Sequence, residues 1–361
     1  MDRVFDVRLY EPGDEYGIAD LLQSTFPSWK RLSCPVDRWR WKYLDNPSGS
    51  IIRVAASGDK VVGVGHGVLL RVKMGDSSVT GQYSEDVAVH PDYRGLGVNT
   101  KLNILSDKVR REKNVRFVYS ITGNPILVES DKRKGRIQFP HLISNLARIR
   151  DVELYLKMNP NDDTALNKYG YSTLKFINKF TNSLNPGTEH RLSFSIHEVK
   201  IFDERFDVFW GEVKESYSLM LEKNSRYLNW RYIAPPTSTY KVLAAERDGE
   251  VLGFVVTKLD VREGCTEGFI IELLAHPSRL DVAEGLLSEA CRYFDDLSVN
   301  AVYYRTVTGH PYHDLSGRFG FIDSRRTPNM PCDFSGLRDE LARLEAASPG
   351  QVYLTYGDNF Q

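Results

Sequence analysis

The chain states one pattern twice. Trp41-Lys42-Tyr43, Val54-Ala55-Ala56, Gly63, Ala88-Val89-His90-Pro91 and Thr122-Gly123-Asn124-Pro125 occur in that order in the first half. Trp230-Arg231-Tyr232, Val242-Leu243-Ala244-Ala245, Gly253, Leu274-Ala275-His276-Pro277 and Thr308-Gly309-His310-Pro311 repeat it in the second. The offset is 189 residues at the tryptophans, 190 at the glycines, and 186 at both the His-Pro and the Thr-Gly markers. A period this long is a domain rather than a solenoid unit. With 361 residues, each copy can have its own core. Each copy also serves as a control for the other.

A formal net charge of −1 gives no bulk attraction to nucleic acid or to an anionic membrane. Apolar residues come in runs too short to span a bilayer. Met1-Asp2-Arg3-Val4-Phe5-Asp6 lacks the basic start and apolar stretch of a secretory signal. Cys34, Cys265, Cys291 and Cys332 are far apart, without metal-ligand spacing. The expectation is a cytoplasmic protein with reduced thiols, no metal, and no nucleic-acid or membrane partner.

Val7–Tyr10 reads as a strand, and Tyr16–Phe26 as a helix with Ile18, Leu21, Leu22 and Phe26 on one face. A hairpin follows around Gly58-Asp59, then a strand over Val79–Val89. The next elements are a helix over Val98–Arg111, a strand over Arg116–Ile121 and a short helix over Ser130–Lys134. The second half offers a strand at Leu192–Ser195, a helix near Phe206–Leu221 and a hairpin at Asp248-Gly249. Strands over Phe269–Ala275, Ala301–Thr306 and Val352–Thr355 complete it. The expected layout is a domain over 1–157, a linker with a helix over 158–190 and a second domain over 191–361. Alternating strands and helices make each an α/β (α+β) layer structure.

The segment carrying chemistry runs from Tyr83 to Thr100. Tyr93-Arg94-Gly95-Leu96-Gly97 turns a strand into a helix that starts at Val98. Such a turn aims consecutive backbone N–H groups at one point beside the positive end of the helix, and its glycines let a ligand come close. A pyrophosphate fits that chemistry. Neither Gly-x-Gly-x-x-Gly nor a Gly-Lys-Ser/Thr P-loop is present.

Arg94-x-x-Gly97-x-Asn99 after Val89-His90-Pro91 resembles the GNAT superfamily of acyl-CoA-dependent N-acyltransferases. Arg8-x-Tyr10-x-Pro12-x-Asp14, Asn124 and Lys134-Gly135 resemble its other landmarks. The resemblance implies two tandem GNAT-like domains, each a mixed, mostly antiparallel sheet flanked by helices. It implies acetyl-CoA as donor, with the pyrophosphate on Arg94, Gly95, Leu96, Gly97, Val98, Asn99 and Thr100. It also implies a pantetheine arm paired to Val87, Ala88 and Val89, and a contact from Asn124. Asn99 stands where the family has a smaller residue. The two tryptophan segments and the ending Tyr353-Leu354-Thr355-Tyr356-Gly357-Asp358 are similar to tandem GNAT proteins of bacterial surface-polysaccharide pathways.

The second copy has Ser278-Arg279-Leu280-Asp281-Val282-Ala283-Glu284 in place of the glycine turn, so one working donor site is expected, in the first copy. Acylation of an amine calls for a base. Glu85 and Asp86 are the candidates. Strand alternation sends them to opposite faces unless a bulge intervenes. Ser130 takes the position where the family often has an acidic tyrosine. Tyr83 or Tyr119, or water, are alternatives. His66, among Gly63, Gly65 and Gly67, is a further candidate for lining the acceptor pocket. The shared His90 and the repeated aromatic cluster read as structural. The expected activity is transfer of an acetyl or short acyl group to a small-molecule amine, such as an amino sugar or its nucleotide conjugate. The alternatives are an aminoacyl-tRNA-dependent peptide-bridge transferase and a binding module with a decayed CoA site.

Overall fold

The computed structural model describes residues 4–122, 124–158, 173, 193–237, 239–262, 264–325 and 328–359. Of the expected linker over 158–190, all but Met158 and Thr173 lies outside the described residues, as does Gly123.

Two mixed sheets flanked by helices form the molecule. The first contains β1 (Asp6–Leu9), β2 (Ser50–Ser57), β3 (Lys60–Met74), β4 (Ser77–Val89), β5 (Val115–Tyr119) and β6 (Ile137–Gln138). The second contains β7 (Ile143–Ile149), β8 (Ser195–Glu198), β10 (Tyr240–Arg247), β11 (Glu250–Arg262), β12 (Cys265–Ala275), β13 (Ala301–Val307) and β14 (Ile322–Arg325). In the first half β2, β3 and β4 form an antiparallel meander with β1 antiparallel at the β2 edge, and β4 then pairs β5 in parallel across α4 (Val98–Glu112). The second half repeats this: β10–β11–β12 are antiparallel, and β12 pairs β13 in parallel across α9 (Leu280–Asp296).

The sheets do not follow the chain in order. β7, from the first half, lies between β13 and β14 of the second sheet. β15 (Pro331–Phe334), from the second half, lies between β5 and β6 of the first. The short β9 (Leu219–Leu221) extends the first sheet by pairing with Val72–Met74 of β3. The sequence reading continued a helix through these residues. Instead α7 (Glu204–Val213) stops, and Leu219, Met220 and Leu221 enter the sheet fully buried. Val352–Thr355 makes a single parallel bridge, Leu219 to Val352, rather than a strand. This buried segment runs between the two halves.

α1 (Asp14–Thr25) begins two residues before the expected Tyr16. Arg8 grips Asp14 at 2.6 and 2.9 Å, and Asp14 accepts the Glu11 N–H, closing the turn. α1 buries Ile18, Leu21 and Leu22. Two short helices follow, α2 (Pro27–Lys30) and α3 (Pro35–Tyr43), each with Pro in its first turn. α4, expected over Val98–Arg111, buries Val98, Leu102, Ser106 and Val109 along one face. Gly63 makes room for the start of that helix: a Cβ there would sit 2.5 Å from Val98 Cγ1.

The halves meet at a pseudo-two-fold contact. Trp41 Nε1 donates to the Trp230 carbonyl at 2.7 Å, and Trp230 Nε1 donates to the Trp41 carbonyl at 2.8 Å. The indoles stack with centroids 5.4 Å apart. Equivalent residues touching reciprocally is the signature of an isologous interface, here within one chain. Truncating either buried indole removes packing and leaves the partner's donor unmatched. Trp41→Ala and Trp230→Ala should each cost about 3–5 kcal/mol. Their double variant should cost clearly less than the two together, measured by denaturant unfolding.

Candidate active site

The two candidate carboxylates, Glu85 and Asp86, sit at a bulge in β4. The β3–β4 register runs from Gly63↔Val89 and Val64↔Ala88 to His66↔Glu85, so Asp86 and Val87 together oppose one residue, Gly65. Asp86 takes φ +47° there. The bulge breaks the strand alternation, and both carboxylates reach Lys42 of α3. Lys42 Nζ lies 2.8 Å from Glu85 Oε2 and 3.0 Å from Asp86 Oδ2. His66 holds the bulge, its Nδ1 2.9 Å from the Asp86 carbonyl and its Nε2 accepting from Trp39 Nε1. These contacts set the neutral tautomer with hydrogen on Nδ1. Burial pushes the imidazole down to about 3. His66 is fully buried and stacked on Tyr43, so it is a support for the bulge and not a pocket wall. Gly65 and Gly67 make room for the side chains of Arg53 and Gln82.

The two carboxylates are unequal. Asp86 accepts from Tyr43 OH at 2.6 Å, Lys42 at 3.0 Å and Trp29 Nε1 at 3.2 Å. Burial raises its pKa, but Lys42 and the Tyr43 hydroxyl outweigh this and hold it down to about 2. Glu85 has Lys42 on one oxygen, while its Oε1 is buried without a hydrogen-bond partner among the described residues. Burial therefore dominates and, with the Asp86 charge, lifts Glu85 to about 7 against the pull of Lys42. Two adjacent acids whose environments separate them in this way define different roles. Glu85 is poised to exchange a proton near neutral pH, and Asp86 is a fixed charge.

Beside them β4 parts from β5. Their ladder ends at Tyr83↔Tyr119, while β4 continues to Val89 along β3. The wedge lies along Val87, Ala88 and Val89 and leads to the glycine turn. Gly95 and Gly97 have φ +77° and +80°, which lets the chain reverse into α4. No side chain caps Gly97, and Lys101 N–H donates to the Gly97 carbonyl. The N–H groups of Val98, Asn99 and Thr100 precede the first i→i−4 bond of the helix. Space is open around both glycines, and Arg94 and Leu96 are exposed. The Asn99 side chain turns along the helix to Asn103. The residues present therefore fit a diphosphate at the turn and an extended arm along β4.

The second copy differs at each of these points. By the 186-residue register Glu272 replaces Asp86, and Tyr232 OH donates to it at 2.7 Å as Tyr43 does to Asp86. Ile271 replaces Glu85. Glu272 is sealed by Lys223, Tyr353 and Thr355, and Lys223 also pairs with Asp358 at 2.8 Å. α9 begins four residues earlier in register than α4. Its first turn is used internally: Arg279 pairs with Asp281, and its carbonyl accepts from Val282 and Ala283. Tyr312 OH bonds both backbone groups of Ala275, the counterpart of Val89.

Asn124 begins α5 (Pro125–Arg133), its carbonyl accepting from Leu127 and Val128. That helix starts before the expected Ser130, which is half-buried within it. Of the basic run after it, Lys134 and Arg136 pair with Asp131. Tyr119 OH donates to the Asp358 carbonyl, and Tyr83 is buried beside it. His310 is buried and caps α10 (Pro311–Arg318) by accepting from Tyr312 N–H. Sequence reading missed Lys42 as the group joining the two acids. The signal was its presence in the repeated Trp-x-Tyr segment, read there as packing alone.

Residues 6–125, a third of the chain, match the family model of an acetyltransferase (GNAT) domain. Three solved structures that resemble most of the chain are described as acyltransferases, one of them as a probable one. A conserved protein of unknown function from Enterococcus faecalis, described as a probable N-acyltransferase, has TM-score 0.64 and 13% identity, over 92% of this chain and 73% of that one. A GCN5-related N-acetyltransferase from Anabaena variabilis has TM-score 0.62 and 12% identity over the same shares. N-myristoyltransferase of Saccharomyces cerevisiae, solved with myristoyl-CoA, has TM-score 0.62 and 11% identity, over 92% and 83%. The fold is the GNAT fold. No curated protein sequence matches the chain significantly. Among the described residues no cluster of three metal-ligating side chains occurs, and no helix is long and apolar enough to cross a membrane.

The Asp86 pKa lies below its unfolded value of about 3.9, so its stabilising effect is present above pH 4 and lost as pH falls toward 2. Asp86→Asn should cost about 2 kcal/mol at pH 7, a difference that closes toward pH 2 in thermal unfolding. Lys42→Met removes the cation that favours ionised Glu85. It should move the Glu85 titration alkaline by at least one unit, read by NMR of the labelled carboxyl.

Proposed function

We propose that the chain is an N-acyltransferase that moves an acetyl or short acyl group from CoA to the amine of a small molecule. The observation that carries this reading is the pairing of an uncapped, open glycine turn with a buried carboxylate at about 7, on one strand. The diphosphate of the donor would rest on the N–H groups of Gly97, Val98, Asn99 and Thr100, with Arg94 and Asn124 at the rim. Val87, Ala88 and Val89 would pair with the pantetheine arm. The thioester supplies an electrophilic carbonyl when bound. Glu85 takes a proton from the incoming ammonium or amine, directly or through one water. Asp86 and Lys42 keep the local charge fixed while that proton moves. The departing thiolate is a fair leaving group and takes its proton from Ser130 or water. The second copy, with Ile271 at the base position, serves as scaffold and acceptor wall. An amino sugar or its nucleotide conjugate is our reading of the acceptor class, and the cytoplasm of its location.

Acetyl-CoA should raise the melting temperature by preferential binding to the native state. Gly97→Glu, which adds charge and a side chain at positive φ, should abolish that rise. No rise in the wild type with acetyl-CoA or myristoyl-CoA would refute the donor reading; a rise with myristoyl-CoA alone would overturn the short chain. Glu85→Gln should lower kcat by 10²–10⁴-fold while leaving donor binding intact, followed by thiol release across an amine panel. The wild-type profile should rise through pH about 7 as Glu85 loses its proton, and the rise should be absent in the variant.

A further inference from the structure

On the side of the sheet away from Glu85, β4 carries a polar pair that the second copy lacks. In the β3–β4 ladder Gln82 is opposite Leu69, Ser84 opposite Gly67 and Glu85 opposite His66. Leu69 packs with Val109 of α4, so Gln82 and Ser84 face α4, while Glu85 faces Lys42 on the other side. Gln82 is fully buried, and its side chain lies over Gly67, where a Cβ would come within 2.4 Å of it. Its Nε2 donates to Ser84 Oγ at 2.9 Å, and its Oε1 is buried without a hydrogen-bond partner among the described residues. Ser84 is half-buried, and no acceptor for its own hydrogen occurs among the described residues. The β4–β5 ladder stops one residue earlier, at Tyr83↔Tyr119, and across the gap the Ser120 N–H turns to the Pro331 carbonyl at 3.3 Å. Ser84 therefore borders the wedge, next in the chain to Glu85.

By the 186-residue register Gly268 stands at Gln82 and Ile270 at Ser84. Gly268 gives its space to the Phe294 ring, and Ile270 is paired with Tyr304, closing the ladder where the first copy parts. The fold is thus satisfied without the polar pair. A buried amide with one unmatched oxygen is costly, so packing does not account for Gln82. Its N–H enters the Ser84 oxygen, which polarises the hydroxyl and leaves the hydrogen free for the wedge. The same face holds a buried cation. Arg53 reaches across β3 to lie over Gly65, where a Cβ would sit 2.7 Å from its Nη2, and Leu243 takes its place in the second copy. Gly65 and Gly67 are alternate residues of one strand, about 7 Å apart. Hydroxyl and guanidinium together favour negative charge on the α4 side, opposite the base.

We propose that Ser84, oriented by Gln82, donates a hydrogen bond to the sulfur of the departing thiolate. This rests on the acyltransferase reading of the Glu85 site. The amine nitrogen bonds to the thioester carbon, and its proton passes to Glu85 and on to solvent. As the carbon–sulfur bond breaks, its electron pair stays on sulfur. The Ser84 O–H holds that thiolate until water protonates it. Ser84 is then a catalytic residue, and Gln82 a positioning residue that acts through it.

The test reads the thiol of bound CoA on the full chain, by its thiolate absorbance, with the desulfo-CoA complex as blank. Ser84→Ala should raise the pKa of that thiol by about one to two units, the worth of one hydrogen bond to a charged acceptor. Ser84→Thr should keep the wild-type value. Gln82→Met should reproduce part of the rise, and adding it to Ser84→Ala should change nothing further. The melting-temperature rise with acetyl-CoA should persist in Ser84→Ala, which shows that the variant is folded and holds its donor. With any amine that is acylated, kcat should fall about tenfold or more in Ser84→Ala. Equal thiol titration in wild type and Ser84→Ala, with CoA bound to both, overturns the assignment and leaves the donor reading standing. Additive effects of the two substitutions overturn the role of Gln82. A wild type that binds neither acetyl-CoA nor CoA overturns the donor reading, and the assignment with it.

Discussion

Everything in the molecule is hung on the reciprocal bond between Trp41 and Trp230. Each indole N–H ends on the other residue's carbonyl, so neither group stays unmatched in a dry seam. The contact fixes the halves about a pseudo-two-fold axis. The strand exchange tightens it, since β7 and β15 each complete the opposite sheet. The C-terminal segment then runs between the halves, tied by Tyr353 and Thr355 to Glu272 and by its Asp358 carbonyl to Tyr119. Two units that cross-complete one another cannot move apart as independent domains. The space around Glu85 is therefore shaped by both halves.

The duplication separates scaffold from chemistry. Both copies keep a tyrosine hydroxyl on a bulge carboxylate, Tyr43 on Asp86 and Tyr232 on Glu272. A contact present in both is architecture. Glu85, the open glycine turn and the free β4 edge occur in the first copy only. In the second, Ile271, an earlier helix start and the Tyr312 hydroxyl fill the same places. The two adjacent acids also show how environment divides labour. Asp86 has three donors and stays ionised, while Glu85 has one cation and a bare oxygen and is lifted toward neutrality.

Much of the fold was legible because it rests on local pattern. The α4 helix, the two hairpin turns and the glycine turn that opens α4 all follow from periodicity and turn chemistry. The readings that failed were those needing a distant partner. Leu219–Leu221 continues a helical pattern and becomes a strand because the edge of β3 accepts it. His66 had the surroundings of a pocket residue and proves to be a buried brace. Glu85 and Asp86 were expected on opposite faces unless a bulge intervened; the bulge is there, its positive φ held by His66 and Tyr43, and only the distant partners reveal it. Lys42 went unnoticed because a lysine inside an aromatic repeat announces packing before it announces charge.

The sequence by itself determined the duplication, the α/β character of each half and the loss of the glycine turn from the second copy. Spacing and residue type carry those facts along the chain without reference to anything distant. Tertiary structure decided which strand completes which sheet and which acid keeps its proton. Those outcomes depend on burial and on distances of a few ångströms between residues far apart in sequence. Desolvation and Coulomb energy act across that space, and no local pattern records it.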